Sequence, residues 1–242
     1  MLNIISYSLY GSLPKYLEGA VRNAEAVAEF WPNWNSRFYV GRSVPESIRE
    51  RLSAHNAQIV LMDGPENPSA MFWRFHAFFD PHVCRVLIRD ADSRLSLRDK
   101  IAVDAWLASG KEFHIIRDHP FHQRPILGGL WGGMPARLKN LHEELSGSTA
   151  KGFYDEDQQV LARIVYPKIK KYALIHDSYF WRERCSVTIP VARNGSDFLG
   201  ESFDEFDMPD PVARRAIERA STSFFYRFCI KFKSLFLSFL GE

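Results

Sequence analysis

The chain has 242 residues, 46% of them hydrophobic, enough for one sizeable core, which excludes a disulfide-scaffolded or disordered polypeptide. Its 31 Lys+Arg nearly balance 29 Asp+Glu, so no whole-surface attraction for nucleic acid is expected. Cys84, Cys185 and Cys229 are odd in number, widely spaced and outside any zinc-ligand pattern, which predicts free thiols in a reducing compartment. The N-terminus has no basic segment followed by an apolar one, and no run reaches the roughly 20 apolar residues of a spanning helix. A soluble, cytoplasmic body is therefore expected.

In chain order, Asn3–Leu9 reads as a buried strand ending at Gly11, and Tyr16–Phe30 as a helix with apolar residues at helical spacing, stopped by Pro32. Arg37–Val40 is a second strand, Pro45–Ala54 a helix and Gln58–Met62 a third strand. A helix over about 69–79 precedes the strand Arg85–Ile88, which runs directly into Arg89-Asp90-Ala91-Asp92-Ser93. A helix over about 96–109 ends at Gly110 and leads to a strand at Phe113–Ile116. From Arg117 to Pro135 the chain is rich in His, Pro and Gly and reads as a binding loop. Pro135–Leu145 and Asp155–Ile164 look helical, and Tyr172–Ile175 is a late strand ending at His176-Asp177. This alternation predicts an α/β domain, a mostly parallel central sheet flanked by helices, over residues 1–200, with a helical tail over 201–242.

Ligands of open α/β sheets collect at the carboxyl ends of strands, which gives Asp90 and Asp92 the most weight. Alternation along an extended strand points both carboxylates to one side, where they can share a divalent cation that also holds phosphate oxygens. The competing reading is a helix cap and a solvated side chain. His176 is positioned after a late strand as a third ligand, and mixed oxygen and imidazole ligation favours Mn2+ over Mg2+; a hydrogen-bonded strand-end histidine is the alternative. In Arg117-Asp118-His119-Pro120-Phe121-His122, Asp118 is the candidate general base if the reaction inverts configuration.

The Asp-x-Asp after an apolar strand, within a strand–helix chain that begins with a buried strand, resembles the nucleotide-sugar glycosyltransferases of the GT-A fold, a Rossmann-like architecture. The resemblance is closest to the family-8-like branch and covers roughly residues 3–180. Phe72-Trp73-Arg74-Phe75, Ile126–Gly133 and Asp157-Gln158 complete it. It implies that Asp90 and Asp92 hold manganese or magnesium on a donor diphosphate, with His176 as a further ligand and Arg74 directed at the donor. It also implies that Gly128 and Gly129 lie between donor and acceptor, and that Asp157 and Gln158 lie beside the reacting sugar. Acids enriched at a helix start would explain Asp157 equally well. The base, uracil by expectation, would lie over the first strand with Tyr7 stacking and Ser8 hydrogen-bonding; otherwise Tyr7 is an ordinary core aromatic. The family's His-x-x-Gly-x-x-Lys signature is absent, and His176-Asp177-Ser178-Tyr179 stands in its place.

The expected activity is thus metal-dependent transfer of a sugar from a nucleotide-diphosphate donor to a glycan or glycolipid acceptor, as in polysaccharide biosynthesis. A nucleotidyltransferase or other phosphate-handling enzyme, and a non-catalytic peripheral membrane or sugar-binding protein, are the alternatives. Ser221–Leu240 carries aromatic residues at helical intervals with interspersed Arg and Lys, suited either to an anionic membrane interface on the inner face or to packing on the body.

Overall fold

The computed structural model describes residues 1–147 and 150–222. One seven-stranded sheet organises them, in the order β3-β2-β1-β4-β6-β5-β7. Its strands are β1 Leu2–Leu9, β2 Asn35–Val40, β3 Gln58–Leu61, β4 Val83–Ile88, β5 Phe113–Arg117, β6 Trp131–Gly133 and β7 Ala173–Asp177. All neighbours pair in parallel except β6, which runs antiparallel to both β4 and β5. The expected α/β architecture is the one observed. Strand β6 lies within the stretch that reads as a loop, because Trp-Gly-Gly has neither the β-branched content nor the length of a strand. Its glycines are required by closeness: a Cβ at Gly133 would overlap the Phe113 ring, and one at Gly132 would strike the carbonyl oxygen of Val86.

Helices α1 (Pro14–Phe30), α2 (Glu46–Ala54) and α3 (Leu97–Ala108) pack with Ile5, Tyr7, Leu9, Phe38 and Trp106 in one apolar layer. The other layer gathers Ile4, Phe72, Phe75, Phe78, Val86 and Trp131. Between 68 and 79, where an α-helix was expected, the chain forms a 3-10 helix, Pro68–Phe79, capped by Asn67 Oδ1 accepting from Ser69 N at 2.9 Å. With three residues per turn, Phe72, Phe75 and Phe78 stack along one edge, each at most 1% exposed, and Phe78 lies flat on Trp131 with centroids 4.9 Å apart. The same spacing brings Met71 and Arg74 to another edge, against Ser8 and Ser6 of β1.

Beyond the sheet, α4 (His142–Ser146) is followed by α5 (Glu156–Val160), a π-helical turn Leu161–Val165 and α6 (Tyr166–Ile169). Helix α7 (Pro211–Thr222) buries Ala213, Ala216, Ile217 and Ala220. Most of the aromatic, basic stretch 221–240 lies outside the described residues, and so does Cys229. Among the described residues no helix is long and apolar enough to cross a membrane.

Candidate active site

A cavity of about 590 Å³ opens at the carboxyl ends of β1 and β4. Of the residues singled out from the sequence, Ser8, Arg74, Asp90, Asp92, Gly128, Gly129, Asp157 and Gln158 line it together. Period-two alternation decides which half of the Tyr7-Ser8 pair takes part. Ser8 faces the 3-10 helix, donating to the Met71 carbonyl at 3.2 Å and accepting from Arg74 N at 3.0 Å. Tyr7 points to the opposite face, fully buried and stacked on Phe38 at 4.6 Å, so it is a core aromatic with no access to the cavity. Burial pushes its phenol well above the usual range. The cavity's own aromatics are Tyr10, Tyr16 and Tyr154.

Arg74 is the centre of the polar wall. Its two terminal nitrogens donate to different acids, Nη1 to Asp90 Oδ1 and Nη2 to Asp157 Oδ2, the latter at 2.6 Å. Arg74 and Asp157 are 5% and 2% exposed, whereas the Asp90 side chain is 45% exposed to the cavity. Burial alone would lower the Arg74 pKa, but the charges of Asp90 and Asp157 outweigh it and hold the guanidinium protonated. Asp90 is shifted upward: desolvation raises it, Arg74 opposes, and the negative charges of Asp92 and Asp157 add to the rise. Asp92 Oδ2 accepts from Lys15 Nζ at 2.9 Å and from Ser202 Oγ at 2.8 Å. Gln158 Nε2 donates to Asp155 Oδ1 at 2.6 Å, and Asp155 also accepts from Arg124.

The Asp-x-Asp turn is held from beneath. Asn23, buried inside α1, donates to the carbonyls of Ala91 (3.3 Å) and Ser93 (2.8 Å) and accepts from Leu95 N at 3.0 Å. Asn23, Lys15 and Ser202 were not singled out from the sequence. Lys15 follows Pro14 just past the end of β1, so the strand-end rule pointed to its neighbourhood; a buried Asn within a helix is the signal for Asn23. Ser202 carries no signal, lying more than a hundred residues from Asp92, in the stretch read as tail.

Gly128 and Gly129 line the cavity, and the protein's own side chains also require them to be glycine. A Cβ on Gly128 would come 2.6 Å from Arg74 Nη2 and 2.9 Å from Asp157 Oδ2, and one on Gly129 would fall inside the Asp90 carboxylate. The close approach is made by the ion-paired side chains of the protein itself. Gly129→Ala is therefore expected to drive Asp90 out of its pair with Arg74 and, if the cavity binds a nucleotide with manganese, to weaken that binding by at least about tenfold, roughly 1.4 kcal/mol, while the melting temperature falls only slightly. Calorimetric titration with UDP and manganese checks this; unchanged affinity would refute the packing argument.

Two expected site residues lie elsewhere. His176 is inside β7, three strands from β4 in the sheet order, and at about 4.8 Å per strand it is too remote to share an ion with Asp90 and Asp92. Its Nδ1 pairs with His114 Nε2 at 2.8 Å, and the His114 ring stacks on Trp106 with centroids 5.6 Å apart. Among the described residues no three His, Cys, Asp or Glu side chains converge on a metal position. Asp118 is fully buried and saturated: Arg98 binds both oxygens, Oδ1 also accepts from Ser178 Oγ (2.6 Å) and Arg193 Nη2 (2.9 Å), and Oδ2 from Leu199 N (3.0 Å). Burial works to raise its pKa, but the Arg98 bonds and the Arg193 charge prevail and lower it. A carboxylate so held has no lone pair to offer an acceptor hydroxyl, and Asp118 is no general base.

The histidine pair has a consequence for acid stability. Burial holds His176 down at about 4 and His114 well below its ordinary value, so both rings are neutral in the folded chain. The unfolded chain takes up protons below about pH 6.5, so folding stability is complete above that pH and falls towards 4, by about 1.4 kcal/mol per pH unit for each imidazole. Urea unfolding between pH 7 and 5 should show this slope, and His176→Gln should make it shallower. A flat profile would contradict neutral burial.

No sequence family model matches this chain, and no curated protein does. Solved structures of similar shape exist. The galactosyltransferase LgtC, solved with donor and acceptor sugar analogues, is 15% identical over 74% of each chain, with a TM-score of 0.48. The mannosyltransferase PcManGT from Pyrobaculum calidifontis, solved with GDP-Man and Mn2+, is 14% identical over 99% of this chain and 76% of its own, with a TM-score of 0.48. A 4-diphosphocytidyl-2C-methyl-D-erythritol synthase from Anaerococcus prevotii is 11% identical over 78% and 91%, at the same TM-score.

Proposed function

We propose that this chain is a metal-dependent glycosyltransferase that takes a sugar from a nucleotide-diphosphate donor, UDP-linked by preference, and passes it to a glycan or glycolipid hydroxyl. The observation that carries the reading is the charge of the cavity. Glu66, Asp90, Asp92, Asp155 and Asp157 line it, and among the described residues Arg74 is the one cation of that lining. A diphosphate would be repelled from such a wall unless a cation came with it. The residues fit a divalent ion: Asp90 Oδ2 and Asp92 Oδ1 have no hydrogen bond among the described residues, while their other oxygens are held by Arg74 and by Lys15 and Ser202. Two hard oxygens with ligands completed by phosphate suit Mg2+ or Mn2+.

When bound, the ion would neutralise the negative charge that grows on the departing diphosphate. Arg74 supplies a second, fixed positive group for the same charge, pre-oriented by its two carboxylates. Gln158 faces the cavity beyond the Asp-x-Asp and would orient sugar hydroxyls, while Asp157, its two oxygens held by Arg74 and by Gln158 N, acts by positioning Arg74. Tyr10 and Tyr16 offer two ring faces to the nucleoside, while the Ser8 hydroxyl is engaged by Met71 and Arg74.

The test is titration of UDP and of GDP into the protein with manganese, with EDTA, and into Asp92→Ala. Binding that needs manganese and falls at least about tenfold in the variant is the expected result. Failure of both nucleotides to bind in manganese would reject the reading. Release of UDP or GDP from the cognate sugar nucleotide then identifies the donor.

A further inference from the structure

Lys15, outside the cavity lining but bonded to Asp92, is a second cation whose purpose the donor reading leaves open. It stands in the first turn of α1 with Nζ 2.9 Å from Asp92 Oδ2, the oxygen that also accepts from Ser202. Arg74 treats Asp90 in the same way, one oxygen bound and one left open, yet the two cations differ in freedom. Arg74 is 5% exposed and clamped between two acids. Lys15 is 36% exposed, sits on a flexible four-carbon stem and borders a neighbouring cavity of about 720 Å³ that meets the first at Ser202. One cation is built in and the other can leave.

We infer that Lys15 is an exchangeable counter-cation of the Asp-x-Asp: it holds Asp92 while the cavity is empty and releases it when a divalent ion enters with a nucleoside diphosphate. The inference rests on the donor-site reading above. Arg74 is shared between Asp90 and Asp157, so an empty site without Lys15 would leave Asp92 with no cation bonded to it. A bare ion must compete with the ammonium for Asp92. An ion that arrives with a diphosphate gives the displaced ammonium a new anion to face, so the exchange costs less. Lys15 therefore makes ion and nucleotide bind as a pair and suppresses capture of the ion alone.

The test measures ion binding and needs no turnover. Free manganese is followed by its electron paramagnetic resonance signal while the protein, Lys15→Gln and Ser202→Ala are each titrated, with and without UDP or GDP. Without nucleotide, Lys15→Gln should hold manganese about fivefold tighter than the parent protein, as expected for one lost competing ion pair, and Ser202→Ala should gain less. With manganese present, Lys15→Gln should bind the nucleotide several-fold more weakly. Equal or weaker binding of bare manganese by a folded Lys15→Gln, in a protein that still binds manganese with nucleotide, would overturn the inference and leave the donor reading standing. If the parent protein retains no manganese with either nucleotide, the donor reading falls and this inference falls with it.

Discussion

If the chain transfers sugar as proposed, Arg74→Met should lower that transfer by about a thousandfold, and it should destabilise the fold by about 3 kcal/mol, two effects with one cause. The guanidinium is the positive centre of a three-member chain, Asp90–Arg74–Asp157, in which the Asp157 side chain is 2% exposed. Removing it leaves a buried carboxylate with no cation, and breaking a buried pair from one side costs far more than the pair contributes. Asp157→Asn should restore part of the stability in the Arg74→Met background without restoring transfer, because the uncompensated charge is gone while the donor still lacks its fixed cation. Urea unfolding of the two single variants and the double variant, with transfer assayed in parallel, measures both halves. A stability change in Arg74→Met within about 0.5 kcal/mol of zero would show that the pairing does not carry the site.

Asp118→Ala is expected to be the more damaging change for folding, by about 3–5 kcal/mol, although Asp118 does not touch the cavity. Its carboxylate joins Arg98 of α3, Ser178 after β7, Arg193, and the backbone of Leu199. The chain beyond Leu199 supplies Gly200 and Ser202 to the cavity wall, and Phe203 N donates to the Asp92 carbonyl at 2.9 Å. Losing the hub leaves two arginines without their anion and unties the segment that steadies Asp92. Protease cleavage between about residues 190 and 210 should accelerate, and nucleotide binding should weaken together with stability. A variant of normal stability with an uncleaved segment would contradict this account.

The parts of the molecule that could be read from the sequence are those governed by local periodicity. The strands β1 to β5 and helices α1 to α3 follow from apolar runs, helical spacing and Pro or Gly stops, and Asp90 and Asp92 stand out because an apolar strand delivers them to a sheet end. Even the 3-10 helix has a visible mark, the strict three-residue interval of Phe72, Phe75 and Phe78. What could not be read depends on partners distant in the chain. Asp118 looks like a reactive acid until Arg98 and Arg193 are seen on it, and His176 looks like a ligand until β5 and β6 are seen between it and β4. Tyr7 is legible by the same periodicity: two residues on from Ile5 along β1, it shares the buried face of Ile5 and Leu9.

The short strand β6 acts as an indexing device for the floor of the cavity. Trp131 fills a fully buried slot against Phe78, and the two glycines behind it fit only because they have no side chains. A slip by one residue would push the indole into the space that Val86 and Phe113 leave only for glycine, so the strand has one permitted setting between β4 and β5. The loop immediately before it inherits that setting, and with it Gly128 and Gly129 are delivered to Arg74 and Asp90. The alignment of the floor with the Asp-x-Asp is thus fixed by a bulky stop and two gaps in the middle of the sheet rather than by any bond within the cavity.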